Sequence, residues 1–260
     1  MKVLLITPTY GRLPFLGRLL ASFLSQEYED KELVIINDDK NIQLLCEFPG
    51  VTCINLTTRI LVTHKKNIGV NLGFHDLYMP HDDDDVFLPQ RIQNHVNKFN
   101  EHPEIPLYRN EVAYILSGGE FKMAPSGFNC ISFTKKAWMD CGGYAHKVAS
   151  GQDQEFLFKN KNRMSENNQN ELDYVYNWSG MNYHLSSSEG KNITLIADKQ
   201  LRDLGLVGKN FYIQPDFEEY KKFITLDELY KSGRRDLIVN HHKVEKGKID
   251  ISDLIKKPLN

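Results

Sequence analysis

The chain has 260 residues, 41% of them hydrophobic and 25% charged, with a formal net charge of −2 at pH 7. That length suits one large domain or a domain with an appendage, and so small a charge gives no overall pull toward nucleic acid or an anionic membrane. The four cysteines lack Cys-x-x-Cys spacing, which argues against a zinc ribbon or redox pair and for reduced thiols in a cytoplasmic protein, and no apolar run approaches the about 20 residues of a membrane span, so no membrane insertion is expected.

In chain order, residues 2–7 carry a short apolar run, the form of a strand buried on both faces of a parallel sheet. Pro8 to Arg12 interrupt it, and Pro14 sits where a helix can begin. Leu16, Leu19, Leu20, Phe23 and Leu24 follow at helical spacing. Residues 32–36 form a second buried strand ending in Asn37-Asp38-Asp39, and residues 51–56 a third. A helix is predicted over 62–72, with Lys65, Lys66 and Asn67 on its polar side. A fourth strand at 76–80 delivers four consecutive carboxylates, Asp82 to Asp85. This alternation predicts a mainly parallel α/β sheet with right-handed crossovers, and in such sheets ligands bind outside the carboxyl ends of the strands. Residues 7–12, 37–39 and 82–85 all lie at those ends and are expected to converge.

Beyond Pro89 a helix carries Ile92, Val96 and Phe99 on one face. Residues 112–116 and 121–123 read as a hairpin, and 129–133 as a further strand. A helix through Ala137 and Trp138 ends at Gly142-Gly143. Gly151-Gln152-Asp153 opens another, with acids where the helix dipole favours them. The polar stretch 160–170 is expected to be a mobile surface loop, and 173–176 and 181–185 short strands. From residue 191 the character changes: helices are expected over 193–204, 217–224 and 226–230, with clustered cations that include Lys231, Arg234, Arg235, Lys256 and Lys257.

The acidic run is the chain's electrostatic problem. Two unit charges 4 Å apart interact by about 4 kcal/mol at an effective dielectric of about 20. Four adjacent carboxylates therefore need water or a cation. In an extended segment Asp82 and Asp84 would point to one side, Asp83 and Asp85 to the other. The Asp-x-Asp spacing offers two oxygens to one hard cation. Most charge runs are solvated loops, but this one is pinned between apolar segments.

Five motifs occur in one order: Thr7-Pro8-Thr9-Tyr10; Glu32-Leu33-Val34-Ile35-Ile36-Asn37-Asp38; Asn67-x-Gly69; Asp82-x-Asp84-Asp85 with Pro89 four residues on; and Gly142-Gly143-Tyr144 followed by Gln152-Asp153. The series resembles glycosyltransferase family 2, whose GT-A fold is Rossmann-like, a mainly parallel sheet flanked by helices. The resemblance covers residues 1–190, taken as the nucleotide-sugar-binding and catalytic domain. Residues 191–260 are taken as a helical C-terminal extension, acceptor-binding or a lid.

The resemblance implies an inverting hexosyl- or pentosyltransferase that takes a nucleoside-diphosphate sugar donor, usually UDP-linked, with Mn²⁺ or Mg²⁺. Thr7, Pro8, Thr9 and Tyr10 would line the nucleotide pocket. Asp38 would hydrogen-bond the base, and Lys66 or Asn67 would lie near base and ribose. Asp82 would contact ribose or the metal's water, Asp84 would ligate the metal, and His184 would complete the metal site. Asp153 matches the general base of inverting members, although Gln152 and Asn37 stand where Glu and Asp are usual. Read from the residues alone, Asp153 is equally a first-turn helix acid, Asp38 a turn former and His184 a packed or surface histidine. Asp83 is expected to tolerate Asn.

The acceptor would be a hydroxyl on a glycan or on a hydroxymethylated pyrimidine in DNA. Residues 94–99 and the compact form resemble bacteriophage enzymes that glycosylate such bases, and the tail cations would then meet phosphates. The alternatives are a sugar nucleotidyltransferase, whose Gly-rich signature is missing after the first strand, and a non-catalytic nucleotide-sugar-binding module.

Overall fold

A computed structural model describes residues 1–117, 120–126, 130–145, 152–178 and 193–234. The first half of the chain contributes β1 (Val3–Thr9), α1 (Leu13–Leu24), β2 (Lys31–Asn37), β3 (Ile42–Leu45), β4 (Val51–Asn55), α2 (Val62–Asn71), β5 (Leu77–Pro80), β6 (Val86–Phe87), α3 (Arg91–Glu101) and β7 (Leu107–Asn110). The second contributes β8 (Val112–Ser117), β9 (Glu120–Pro125), β10 (Ile131–Phe133), α4 (Lys135–Asp140), α5 (Gln152–Lys159), β11 (Met164–Glu166), β12 (Tyr174–Trp178), α6 (Ile193–Asp203), β13 (Lys209–Tyr212) and α7 (Phe217–Lys231).

The main sheet runs β11-β7-β10-β5-β1-β2-β4, with β10 antiparallel to both neighbours and the other pairings parallel. Every residue of β1 is buried, as its apolar run requires. Val3 and Leu5 face the core made with α1 and α3, while Leu4 and Ile6 face the one made with α2, α4 and α5. Burying a Leu or Ile side chain contributes about 1.5–3 kcal/mol, so a strand loaded on both faces has one tolerable register. The second half of the Asn67-x-Gly69 motif acts here: a Cβ on Gly69 would lie 2.5 Å from an Ile6 methyl, so only glycine lets α2 approach β1 this closely.

A second sheet, β6-β12-β8-β9, carries the acidic run's exit strand at its edge. Its core is shared with Tyr220, Phe223 and Leu226 of α7. The expected mainly parallel α/β architecture is observed. Several details differ, among them the unpredicted β6 and β7. The stretch 160–170 contains β11, which pairs with β7. β3 and β13, neither of them predicted, form a two-stranded parallel sheet. The two short helices expected after residue 216 are one continuous α7. The strand expected at 181–185 lies outside the described residues. The four cysteines are free, and no helix among the described residues is long and apolar enough to cross a membrane.

Candidate active site

The carboxyl ends of β1, β2 and β5 meet as the parallel topology requires. Thr7 Oγ1 donates to the His81 carbonyl at 2.7 Å, and Thr9 Oγ1 to Asp83 Oδ2 at 2.6 Å. From α2, Lys65 Nζ donates to the Thr9 carbonyl at 2.8 Å and to Asp38 Oδ1 at 2.6 Å. The backbone N–H of Ile60 takes Asp38 Oδ2 at 2.8 Å. Asp38 therefore has a protein donor on each oxygen, and a nucleobase would meet only its remaining lone pairs. Burial lowers the pKa of Lys65 although Asp38 opposes it. Pro8 is buried in β1 opposite Ile36. The half-buried Tyr10 ring lies 4.7 Å from the Arg59 guanidinium. Burial pushes the Tyr10 hydroxyl up to about 12, helped by Asp39 and Asp198.

The acidic run turns instead of extending, so the expected alternation fails. Arg12 takes both of its inner members: Nε donates to Asp83 Oδ2 at 3.0 Å, Nη2 to Asp83 Oδ1, and Nη1 to Asp84 Oδ2 at 3.0 Å. Asp83, expected to tolerate Asn, is fully buried under this guanidinium. Asp85 accepts from the Tyr174 hydroxyl and from the Asn177 N–H at 3.1 Å. Burial, then the charge of Asp84, holds the Asp85 carboxyl well above the usual range. The cation that the run demanded is thus supplied in large part by the chain itself.

Asp82 faces a different partner. Lys66 Nζ sits 3.5 Å from Asp82 Oδ1 and 2.9 Å from Asp153 Oδ1 at the start of α5. Lys66 is 1% exposed, although the helical pattern places it on a polar face. Its burial works against its charge, but Asp153 and Asp82 outweigh that and raise its pKa. Burial raises the Asp82 pKa, with Lys66 opposing. One buried ammonium therefore joins the acidic run to the candidate base. Asn67, expected near the nucleotide, turns the other way: its Oδ1 accepts from Trp138 Nε1 and from the Tyr144 N–H, each at 2.9 Å, and its Nδ2 donates to the Tyr144 carbonyl at 3.0 Å. Gly143, with φ +77°, is required there because a Cβ would lie 2.9 Å from that Oδ1.

Two hard carboxylates, Asp82 and Asp84, suit Mg²⁺ or Mn²⁺ in donor chemistry. Among the described residues no group of three or more His, Cys, Asp or Glu side chains is placed to hold a metal. A metal would therefore need further ligands from the donor phosphates, water or His184, which lies outside the described residues. Of the expected site residues, Thr7, Thr9, Asp38, Lys66, Asp82, Asp84 and Asp153 come together through these contacts. The sequence reading missed Arg12 and Lys65 as partners, and also Arg18, whose Nη2 donates to the Asp84 carbonyl at 2.6 Å. An unpaired acidic run was itself a signal that cations elsewhere must face it.

The layered sheet is the GT-A fold. Fragment 1–349 of TarS from S. aureus, in complex with UDP-GlcNAc, matches it with a TM-score of 0.56 over 68% of this chain and 58% of that one, at 14% identity. The mannosyltransferase PcManGT from Pyrobaculum calidifontis, in complex with GDP-Man and Mn²⁺, matches with a TM-score of 0.50 over 67% and 56%, at 13% identity. The profile of glycosyl transferase family 2 matches residues 4–135, and the chain belongs to that family. An uncharacterized glycosyltransferase of Haemophilus influenzae is 23% identical over 178 residues, 60% of each chain. YwdF of Bacillus subtilis, described likewise, is 32% identical over 97 residues, 36% of each. The chain thus spans 60% or less of these relatives' lengths.

Proposed function

We propose that the chain transfers a sugar from a nucleoside-diphosphate donor, UDP-linked, to a hydroxyl acceptor with inversion. The observation that carries this is the Lys66 bridge, which holds one carboxylate of the acidic run and Asp153 on either side of a single cation. The acidic run and the loop after β1 form the donor side. Asp153, at the first turn of α5, faces it from the acceptor side. There it takes the proton of the attacking hydroxyl, a step that contributes typically about 10²- to 10⁴-fold. A divalent ion held by Asp82 and Asp84 would neutralise the departing diphosphate as a Lewis acid. TarS in complex with UDP-GlcNAc supports a UDP donor by likeness of fold.

The test is a screen of UDP- and GDP-sugars with Mn²⁺, scored by nucleotide release and by mass spectrometry of glycan and hydroxymethylcytosine-DNA acceptors. Asp84→Ala should abolish turnover. Asp153→Asn should still bind donor and lower transfer by about 10²-fold or more. Unimpaired transfer by Asp153→Asn would remove the base and with it the inverting route. Release of pyrophosphate from a nucleoside triphosphate and a sugar phosphate would favour a nucleotidyltransferase instead.

A further inference from the structure

Beside the Lys66 bridge lies the ring of Tyr144. Tyr144 is 1% exposed, and its OH has no hydrogen-bond partner among the described residues. Its ring is already placed by other means. It stacks on Phe156 of α5 at 4.5 Å, meets Phe133 edge-on at 6.1 Å, and has Lys66 Nζ 5.5 Å from its centroid. Its backbone N–H and carbonyl are both held by the Asn67 side chain. A phenylalanine would satisfy every one of these contacts. A buried hydroxyl left unbonded costs stability, so its presence calls for a use. Burial, then the charges of Asp153 and Asp82, keep it a neutral phenol, and therefore a donor.

The bridge indicates when that donor is needed. Lys66 is one ammonium shared by two carboxylates, closer to Asp153 than to Asp82. A diphosphate arriving beside Asp82 brings two more negative groups to the same cation and draws it away from Asp153. The Asp153 carboxylate, 14% exposed at its side chain, then lacks its partner in a poorly hydrated place. We propose that Tyr144 is a positioning residue for Asp153: when a nucleoside diphosphate engages Lys66, the Tyr144 hydroxyl donates to the Asp153 carboxylate and holds it toward the acceptor. This rests on the reading of Asp82 as the donor side and Asp153 as the base.

The test is Tyr144→Phe, with UDP and Mn²⁺ as the probe. Without ligand the variant should melt at or above the wild-type temperature, since the ring is kept and an unbonded hydroxyl is lost. Its UDP affinity by calorimetry should fall about tenfold, the worth of one hydrogen bond to a charged group made only in the bound state. These opposite signs separate positioning from packing, because a purely structural residue would lower stability and affinity together. Equal UDP affinity in variant and wild type would overturn the proposal, and so would a lowered melting temperature of the free variant. Wild-type protein that binds neither UDP nor GDP would overturn the donor-site reading, and this proposal with it.

Discussion

Asp83 and Asp82 are neighbours in sequence, yet they answer to different constraints. Asp83 is enclosed and held by Arg12 and Thr9, whereas the Asp82 side chain is 23% exposed and shares Lys66 with Asp153. Neutralising Asp82 leaves the buried Lys66 its closer partner Asp153, whereas neutralising Asp83 takes a carboxylate from beneath the Arg12 fork. Asp83→Asn keeps one acceptor oxygen and so should cost about 2 kcal/mol of stability, and Asp82→Asn under about 1 kcal/mol. Urea unfolding of the two variants checks this; an Asp83→Asn midpoint equal to that of the wild type would show that Arg12 is not the anchor. Alternation along an extended strand put Asp82 with Asp84 on one side and Asp83 with Asp85 on the other. It failed because the run turns, and because Arg12 lies 71 positions away from its carboxylate, a distance no local pattern spans. Lys65 as a partner of Asp38, and the burial of Lys66 between two carboxylates, escaped notice for a related reason. A polar helix face reads as solvated unless something is known to cover it, and here acids from three other segments do.

At the scale of elements, the readable parts are those whose own residues determine their place. β1, β2 and β5 are apolar on both faces, and α1 has a stripe that only a core can accept. β13 is different: it is largely exposed and exists through pairing with β3, with Lys209 opposite Ile42. Nothing in Lys209-Asn210-Phe211-Tyr212 alone announces such a strand. α7 shows what distant packing adds. Its Tyr220 hydroxyl donates to the Phe87 carbonyl at 3.0 Å, and its Asp227 accepts from the Tyr114 hydroxyl at 2.8 Å. Phe223 lies under the Arg18 guanidinium at 5.1 Å, and Arg18 in turn holds the Asp84 carbonyl. The helix therefore braces the acidic run through α1. Phe223→Ala should destabilise the fold by about 3–5 kcal/mol and should weaken UDP binding as well. Calorimetric melting with and without UDP checks both; a stability loss with unchanged UDP affinity would confine α7 to the core.

For the whole molecule, the response to acid depends on polar groups sealed between helices and sheet. His95 of α3 is fully buried, with Nδ1 2.6 Å from the Ser132 hydroxyl of β10 and its ring edge-on to Tyr108 of β7 at 4.9 Å. Burial, then the charges of Arg91 and Lys98, hold its pKa well below the ordinary value. The folded chain therefore keeps His95 neutral while the unfolded chain binds a proton below pH about 6.5. More protons on the unfolded state means stability that falls as pH falls, by up to about 1.4 kcal/mol per pH unit for this one group. Asp85 and Asp173 act in the opposite sense, since burial raises both their pKa values and the folded state takes up their protons first. The total slope mixes these signs, but a difference between two proteins isolates one of them. His95→Gln retains an amide partner for Ser132 and does not titrate. Between pH 6 and 4.5 the wild type should lose stability more steeply than this variant does, by up to about 1.4 kcal/mol per pH unit. Urea midpoints taken at several pH values give both slopes. Parallel slopes would mean that His95 takes up its proton without unfolding, and that the packing of α3 on the sheet opens to water at mild acidity.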